Sequence, residues 1–144
     1  MERILPALRC PYYGVPLHSS GDSLVGGAGR YRIVDRIPWL LEEERVAAID
    51  QHFQGQYGAD TARKYDRVIR LQSLLIGCWE PAERRRMVGL LGAPRGGRVL
   101  EVAVGTGANL PFLSQLVGSE GDIIGVDLSQ AMMQVARRRA RELA

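Results

Sequence analysis

VLEVAVGTGANLPFL, residues 99–113, is the stretch that decides the fold of this 144-residue chain. Its apolar run predicts a strand from Arg98 to Val104, and the pattern after the glycines predicts a helix over 108–117. A second apolar run predicts a strand from Asp122 to Val126, and Ser129 is a candidate N-cap for a last helix. The C-terminal third is therefore predicted to be β-α-β-α.

The loop between the first predicted strand and helix has the features of a ligand site. Gly105 and Gly107 allow a sharp turn and a close approach of the backbone to a ligand, and the helix that follows favours a negative ligand group. Asp127 closes the second predicted strand, where a carboxylate can accept hydrogen bonds from both hydroxyls of a ribose. The spacing predicts an adenosine-type ligand at the carboxyl edge of a parallel sheet.

Two positions distinguish between adenosine ligands. A dinucleotide fingerprint has a third glycine where this chain has Leu110, and an apolar residue where it has Glu101. An acid at the latter position suits a ligand with an ammonium group, such as S-adenosylmethionine (SAM), which also has a carboxylate and a ribose. An NAD-linked oxidoreductase half-domain is therefore disfavoured.

The stretches VLEVAVGTGANLP (99–111) and GVDLS (125–129) resemble the first two motifs of class I SAM-dependent methyltransferases. The upstream stretch ARKYDRV (62–68), with Trp79, is similar to the helices before that loop in the ubiquinone/menaquinone-biosynthesis C-methyltransferase group. The resemblance implies a SAM site, with S-adenosylhomocysteine as the product. The residues implied around the methionyl end, the ribose and the adenine, or in the helical cover of that site, are Glu101, Ala103, Gly105, Thr106, Gly107, Asn109, Asp127, Leu128, Tyr57 and Tyr65.

One position departs from the family pattern. Ala103 stands where many relatives have glycine. We expect its methyl group to be tolerated, because it lies before the tightest part of the turn. No general base can be named, since Asp66, His52 and Tyr57, near the predicted site mouth, are each as well explained as helix-surface residues.

Residues 1–44 form a predicted small β-rich lobe that resembles a degenerate zinc-ribbon-like domain. Tyr13 stands where Cys-Pro-x-Cys would have its second cysteine, and Cys10 with His18 offers too few ligands for zinc. The sequence predicts no metal here, and the lobe is either a packing extension or a docking surface. Residues 45–96 are predicted to be a helical cover, and residues 97–144 a partial Rossmann-like SAM-binding domain.

A class I methyltransferase sheet has about seven strands, whereas only two are predicted here. The sheet is then expected to leave an exposed apolar surface at Val99, Val102, Val104, Ile123, Ile124 and Val126. A second polypeptide, missing C-terminal residues or self-association could complete it. The chain is thus interpreted as the N-terminal SAM-binding part of a small-molecule methyltransferase, with a non-catalytic scaffold subunit as the alternative.

Composition limits the other function classes. The net charge of +3 comes from 19 basic and 16 acidic residues, and the arginine clusters at 84–86 and 137–141 are expected to be solvated helix faces rather than a nucleic-acid surface. No apolar run approaches the roughly 20 residues of a membrane-spanning helix. Neither a signal peptide nor a membrane partner is predicted, and we expect a cytoplasmic location.

Overall fold

The computed structural model describes residues 5–143, so the first four residues of the predicted lobe and the last residue of the predicted SAM-binding segment lie outside it. The chain divides into two compact units, Met1–Gln51 and His52–Ala144. Except for residues 45–51, the predicted helical cover therefore belongs to the same unit as the predicted β-α-β-α segment.

The first unit contains a small antiparallel sheet. Its strands are β1 (His18–Ser20), β2 (Ser23–Gly26), β3 (Gly29–Val34) and β4 (Ile37–Pro38), hydrogen-bonded in sequence order. The turns between the strands fall at Gly21 and Asp22, at Gly27 and Ala28, and at Asp35 and Arg36. The predicted β-rich character of this region therefore agrees with its structure.

The core of the first unit is built around one aromatic ring. Tyr31 is fully buried together with Cys10, Leu17 and Leu24, and its hydroxyl lies 2.9 Å from the sulfur of Cys10. Among the described residues, no group of three or more His, Cys, Asp or Glu side chains could hold a metal ion. The resemblance of this unit to a zinc ribbon stays a prediction.

The helical region consists of α1 (Ala48–Gln56), α2 (Ala59–Leu75) and α3 (Glu80–Gly89). Pro81 lies in the first turn of α3, where its missing N–H costs no helical hydrogen bond. The apolar side chains at i, i+3 and i+4 on α2 are not buried, since Leu71 is 61%, Leu74 50% and Leu75 78% exposed. No helix in residues 5–143 is long and apolar enough to cross a membrane.

The second unit ends with β5 (Arg98–Val102), α4 (Leu110–Val117), β6 (Asp122–Val126) and α5 (Gln130–Glu142). The two strands are parallel, which confirms the predicted β-α-β-α order and the mixed α/β class. Ser129 is the N-cap of α5, because its hydroxyl accepts a hydrogen bond from the N–H of Met132 at 3.2 Å.

The two-stranded sheet has one covered and one open face. Leu100 and Val102 are 62% and 72% exposed, and Val126, which pairs with Val102, is 43% exposed. The prediction that Val104 is exposed was wrong. Val104 follows the end of β5 and is buried beside Leu110 and Ala136, in the core under α4 and α5.

Candidate ligand-binding site

A cavity of about 650 Å³ opens at the carboxyl ends of β5 and β6, within the second unit. Its size is that of a site for a cofactor or other small molecule. The elements α1, α2 and α3 contribute to its wall as well as the two strands and the loops after them. Of the predicted site residues, it brings together Glu101, Ala103, Gly105, Thr106, Asn109, Asp127, Leu128, Tyr57 and Tyr65.

Asp127 joins the two loops that follow the strands. One oxygen of its carboxylate accepts a hydrogen bond from the N–H of Gly105 at 2.7 Å, and the other accepts one from the N–H of Ser129 at 2.8 Å. The Ser129 hydroxyl in turn donates to the carbonyl of Tyr57 at 2.7 Å. A carboxylate has about four acceptor positions, so Asp127 can still accept hydrogen bonds from a ligand.

Glu101 lines the cavity and has one carboxylate oxygen without a hydrogen-bond partner among the described residues. Its Oε1 accepts a hydrogen bond from Asn109 Nδ2 at 2.6 Å, while Oε2 is buried without a hydrogen-bond partner among the described residues. Burial raises the pKa of Glu101 above its ordinary value, although the Asn109 hydrogen bond and the charge of Arg84 oppose the shift. A buried acceptor without a partner is costly, and a cationic ligand group would satisfy it.

Arg84, on α3, is a site residue that the sequence did not predict. Its side chain lines the cavity, and Nη1 donates to Asn109 Oδ1 at 2.9 Å. Glu80, one turn earlier on α3, forms an ion pair with Arg84 Nε. The 84–86 cluster was predicted to be a solvated helix face, which is wrong for Arg84. The Glu80–Arg84 spacing predicts a helical ion pair, but it carries no signal that places α3 beside the glycine loop.

The two glycines of the loop have different roles. Gly105 has a φ of +56°, and a Cβ added to it would approach no closer than 4.0 Å to its nearest neighbour, the carbonyl oxygen of Ala103. Gly107 has a φ of +75° and does not line the cavity. A Cβ added at Gly107 would lie 2.6 Å from Leu110 Cδ1 and 3.2 Å from Ala136 Cα, and its role in ligand binding stays a prediction. Gly107 therefore permits close packing of the loop against α4 and α5.

The explanation offered for Ala103 was wrong. We expected a methyl group there to be harmless because the tight part of the turn lies further on. Ala103 instead has a φ of +56°, in the left-handed region that favours glycine. The change of conformation at Ala103 also ends β5 two residues before the predicted strand end.

The three candidates for a general base have different surroundings. Asp66 accepts hydrogen bonds of 2.5 Å from both Thr106 Oγ1 and Arg139 Nη2, and it does not line the cavity. Burial raises the pKa of Asp66, but the hydrogen bonds from Thr106 and Arg139 outweigh that effect and hold the pKa below its ordinary value. His52 is exposed and lies outside the cavity wall. Tyr57 lines the cavity, with its ring edge-to-face against Tyr65 at a centroid distance of 6.0 Å.

Comparison with known proteins gives a family match for the C-terminal segment of the chain. Residues 99–144 match the family model described as "Methyltransferase domain". This segment contains β5, the glycine loop, Asp127 and α5. This match supports the resemblance of residues 99–144 to class I SAM-dependent methyltransferases.

Individual relatives are quinone methyltransferases. The chain is 37% identical over 95 residues to the ubiquinone/menaquinone biosynthesis C-methyltransferase of Stenotrophomonas maltophilia, covering 65% of this chain and 36% of the relative. It is 44% identical over 61 residues to the 2-phytyl-1,4-naphtoquinone methyltransferase of Synechococcus elongatus, covering 42% of this chain and 26% of the relative. The chain thus spans well under half the length of these relatives.

A solved structure is also similar to this chain. It is that of a SAM-dependent methyltransferase from Aquifex aeolicus, with a TM-score of 0.44 and 27% sequence identity. The similarity covers 60% of this chain and 42% of the other.

The left-handed conformation of Ala103 leads to a stability prediction. Replacing Ala103 with glycine should raise the free energy of unfolding by about 1 kcal/mol, because glycine adopts a positive φ without a steric cost. The measurement is urea unfolding of the wild-type and variant chains. Ala108→Gly is the matched control, since Ala108 lies in the same loop without a positive φ and should lose about 0.5 kcal/mol. Equal losses in the two variants would contradict the assignment of strain to Ala103.

Proposed function

We propose that this chain is the SAM-binding part of a small-molecule methyltransferase. The single observation that carries the proposal is Glu101, which lines the cavity and whose Oε2 is buried without a partner among the described residues. An acid in this position is expected for a ligand with an ammonium group, which dinucleotides lack at the corresponding place. The match of residues 99–144 to the methyltransferase domain model supports the same ligand.

The residues around the cavity fit the parts of SAM. Glu101 would accept hydrogen bonds from the ammonium group, and Gly105 leaves room for close approach to the backbone. Asp127 would accept hydrogen bonds from the ribose hydroxyls while it continues to hold the loop. Leu128, which follows it, would provide apolar contact for the adenine ring. The residues that fit the parts of SAM therefore lie along the cavity from the end of β5 to the end of β6.

The bound cofactor would supply an electrophilic methyl group on a sulfonium. The contribution of this chain is then to bind and orient that group and to exclude water from it. Tyr57 and Tyr65 stand at the cavity wall where they could cover the ligand. Asp66 is disfavoured as a base, because it does not line the cavity and the hydrogen bonds from Thr106 and Arg139 hold its pKa below the ordinary value. Groups that act on the methyl acceptor are expected on residues other than these.

A quinone precursor is the favoured class of methyl acceptor. The relatives that support this choice are named for ubiquinone, menaquinone and 2-phytyl-1,4-naphtoquinone methylation. The acceptor would enter from the open side of the cavity, and the atom methylated would be a ring carbon by analogy with the C-methyltransferase relatives.

Replacing Glu101 with glutamine tests the ligand assignment. We expect the wild-type chain to bind S-adenosylhomocysteine in isothermal titration calorimetry, and E101Q to bind it about 10- to 100-fold more weakly, because the amide lacks the charge that pairs with the ammonium. E120Q is the matched control, since Glu120 lies in an exposed turn away from the cavity and should bind like the wild type.

The pH dependence of the same measurement provides a second readout. The pKa of Glu101 is raised, so its charged form is lost when the pH falls through a range above that of an ordinary glutamate. Wild-type affinity should therefore decline across that range as the pH is lowered, and E101Q should lack this component. Equal affinities for E101Q and wild type at neutral pH would contradict the role of Glu101.

We further propose that additional strands complete the sheet, supplied by more of the same polypeptide or by a second one. The exposure of Leu100, which lies outside the cavity wall, supports this, because parallel sheets are normally covered on both faces by the helices that connect their strands. The short span of the chain relative to the quinone methyltransferases supports it too. Catalysis by this chain is then proposed to require that completion.

Leu100→Lys tests the completion of the sheet. Leu100 is 62% exposed and does not line the cavity, so L100K should leave the melting temperature of the isolated chain nearly unchanged. We expect it to prevent co-purification with the part of the Stenotrophomonas maltophilia relative that lies outside the matched region. S119K adds the same charge in an exposed turn and is the control. Equal co-purification of L100K and wild type would contradict the proposal.

The alternative is a non-catalytic scaffold subunit derived from a methyltransferase. It predicts a stable complex with the completing segment and no binding of S-adenosylhomocysteine in either state. The unsatisfied oxygen of Glu101 favours the ligand-binding proposal over this alternative.

A further inference from the structure

Arg84 and Glu101 place opposite charges at one end of the cavity without forming a direct ion pair. Asn109 lies between them: its Oδ1 accepts from Arg84 Nη1 at 2.9 Å, and its Nδ2 donates to Glu101 Oε1 at 2.6 Å. No ion pair within 4.0 Å joins Arg84 to Glu101 in the part of the chain that the structure describes. The two charges are thus held near each other but kept apart by one amide group.

The guanidinium of Arg84 is also oriented from its other side. Glu80 pairs with Nε, and the Arg84 side chain is only 26% exposed. With Nε and Nη1 engaged, Nη2 makes no hydrogen bond to any described residue. Arg84 therefore retains donor capacity at the cavity, just as Glu101 retains an acceptor in Oε2.

A free α-amino acid group has the complementary arrangement of charges. Its ammonium and carboxylate are attached to the same carbon, so they require an acceptor and a cationic donor a short distance apart. An arginine suits the carboxylate, because its planar fork of N–H groups matches two carboxylate oxygens. The Glu101–Asn109–Arg84 chain supplies an anion, a spacer and a cation in that order.

We propose that Arg84 binds the carboxylate of the methionyl group, and that Glu80 and Asn109 are positioning residues for it. This inference rests on the proposed function, since it concerns the same cavity and the same cofactor. It assigns α3 a direct part in selecting an intact amino acid end over ligands that lack the carboxylate.

The test compares two ligands that differ only in that group. Isothermal titration calorimetry would use S-adenosylhomocysteine and its decarboxylated analogue, which retains the amine and the adenosine. Wild type should prefer the first by about 10-fold or more, and R84Q should bind it about 10- to 100-fold more weakly. R84Q should bind the decarboxylated analogue within about twofold of wild type.

Matched variants separate ligand binding from folding. R85Q is the control, because Arg85 is the exposed neighbour of Arg84 and contacts the ring of Phe112 rather than the cavity. R84K retains the positive charge but loses the fork, so its affinity for S-adenosylhomocysteine should lie between those of wild type and R84Q. If R84Q does not fold, the R84K result and the preference of the wild type between the two ligands still decide the proposal.

Several results would overturn the inference. Equal weakening of both ligands by R84Q would show that Arg84 acts only through the structure of the site. Equal affinity of the wild type for both ligands would refute carboxylate recognition while leaving the proposed function intact. Failure of the wild type to bind either ligand would instead refute the proposed function, and this inference with it.

Discussion

The hydrogen bonds of the Asp127 carboxylate are the interaction on which the candidate site depends. They connect the N–H of Gly105, after β5, with the N–H of Ser129, which caps α5. Two neighbouring parallel strands bring their carboxyl ends to one edge, but this bridge fixes the loops relative to each other. Through Ser129 the bridge extends to the backbone of Tyr57. The cavity wall formed by both strands and the end of α1 therefore depends on one carboxylate.

A second network supports the glycine loop from outside the cavity. Asp66 on α2 accepts hydrogen bonds from Thr106 and from Arg139 on α5, and Arg139 also donates to the carbonyl of Thr106 at 3.1 Å. Gly107 allows the loop to approach α5 closely. The loop thus combines two requirements, since some of its residues line the cavity and others hold it against helices. Ala103 lies in the cavity wall, but its left-handed backbone conformation is costly for a residue other than glycine.

The sequence could predict the features that depend on local chemistry. The order β-α-β-α, the cap at Ser129 and the placement of Glu101 and Asp127 at one edge all follow from periodicity, capping and spacing. Arg84 could not be predicted, because its role depends on how α3 packs beside the loop. Val104 was wrongly predicted to be exposed, because the strand was predicted to continue through it. The backbone instead turns at Ala103, and Val104 is buried. The exposed Leu71 and Leu75 show that a helical apolar pattern identifies a face but not what covers it.

The central claim is that the cavity at the ends of β5 and β6 binds SAM through Glu101 and Asp127. The most direct measurement is an NMR titration of the ¹⁵N-labelled chain with S-adenosylhomocysteine. We expect saturable shifts in the amide signals of the wall residues, with the largest at Gly105, Leu128 and Ser129. Shifts confined to the first unit, or none at saturating ligand, would contradict the claim.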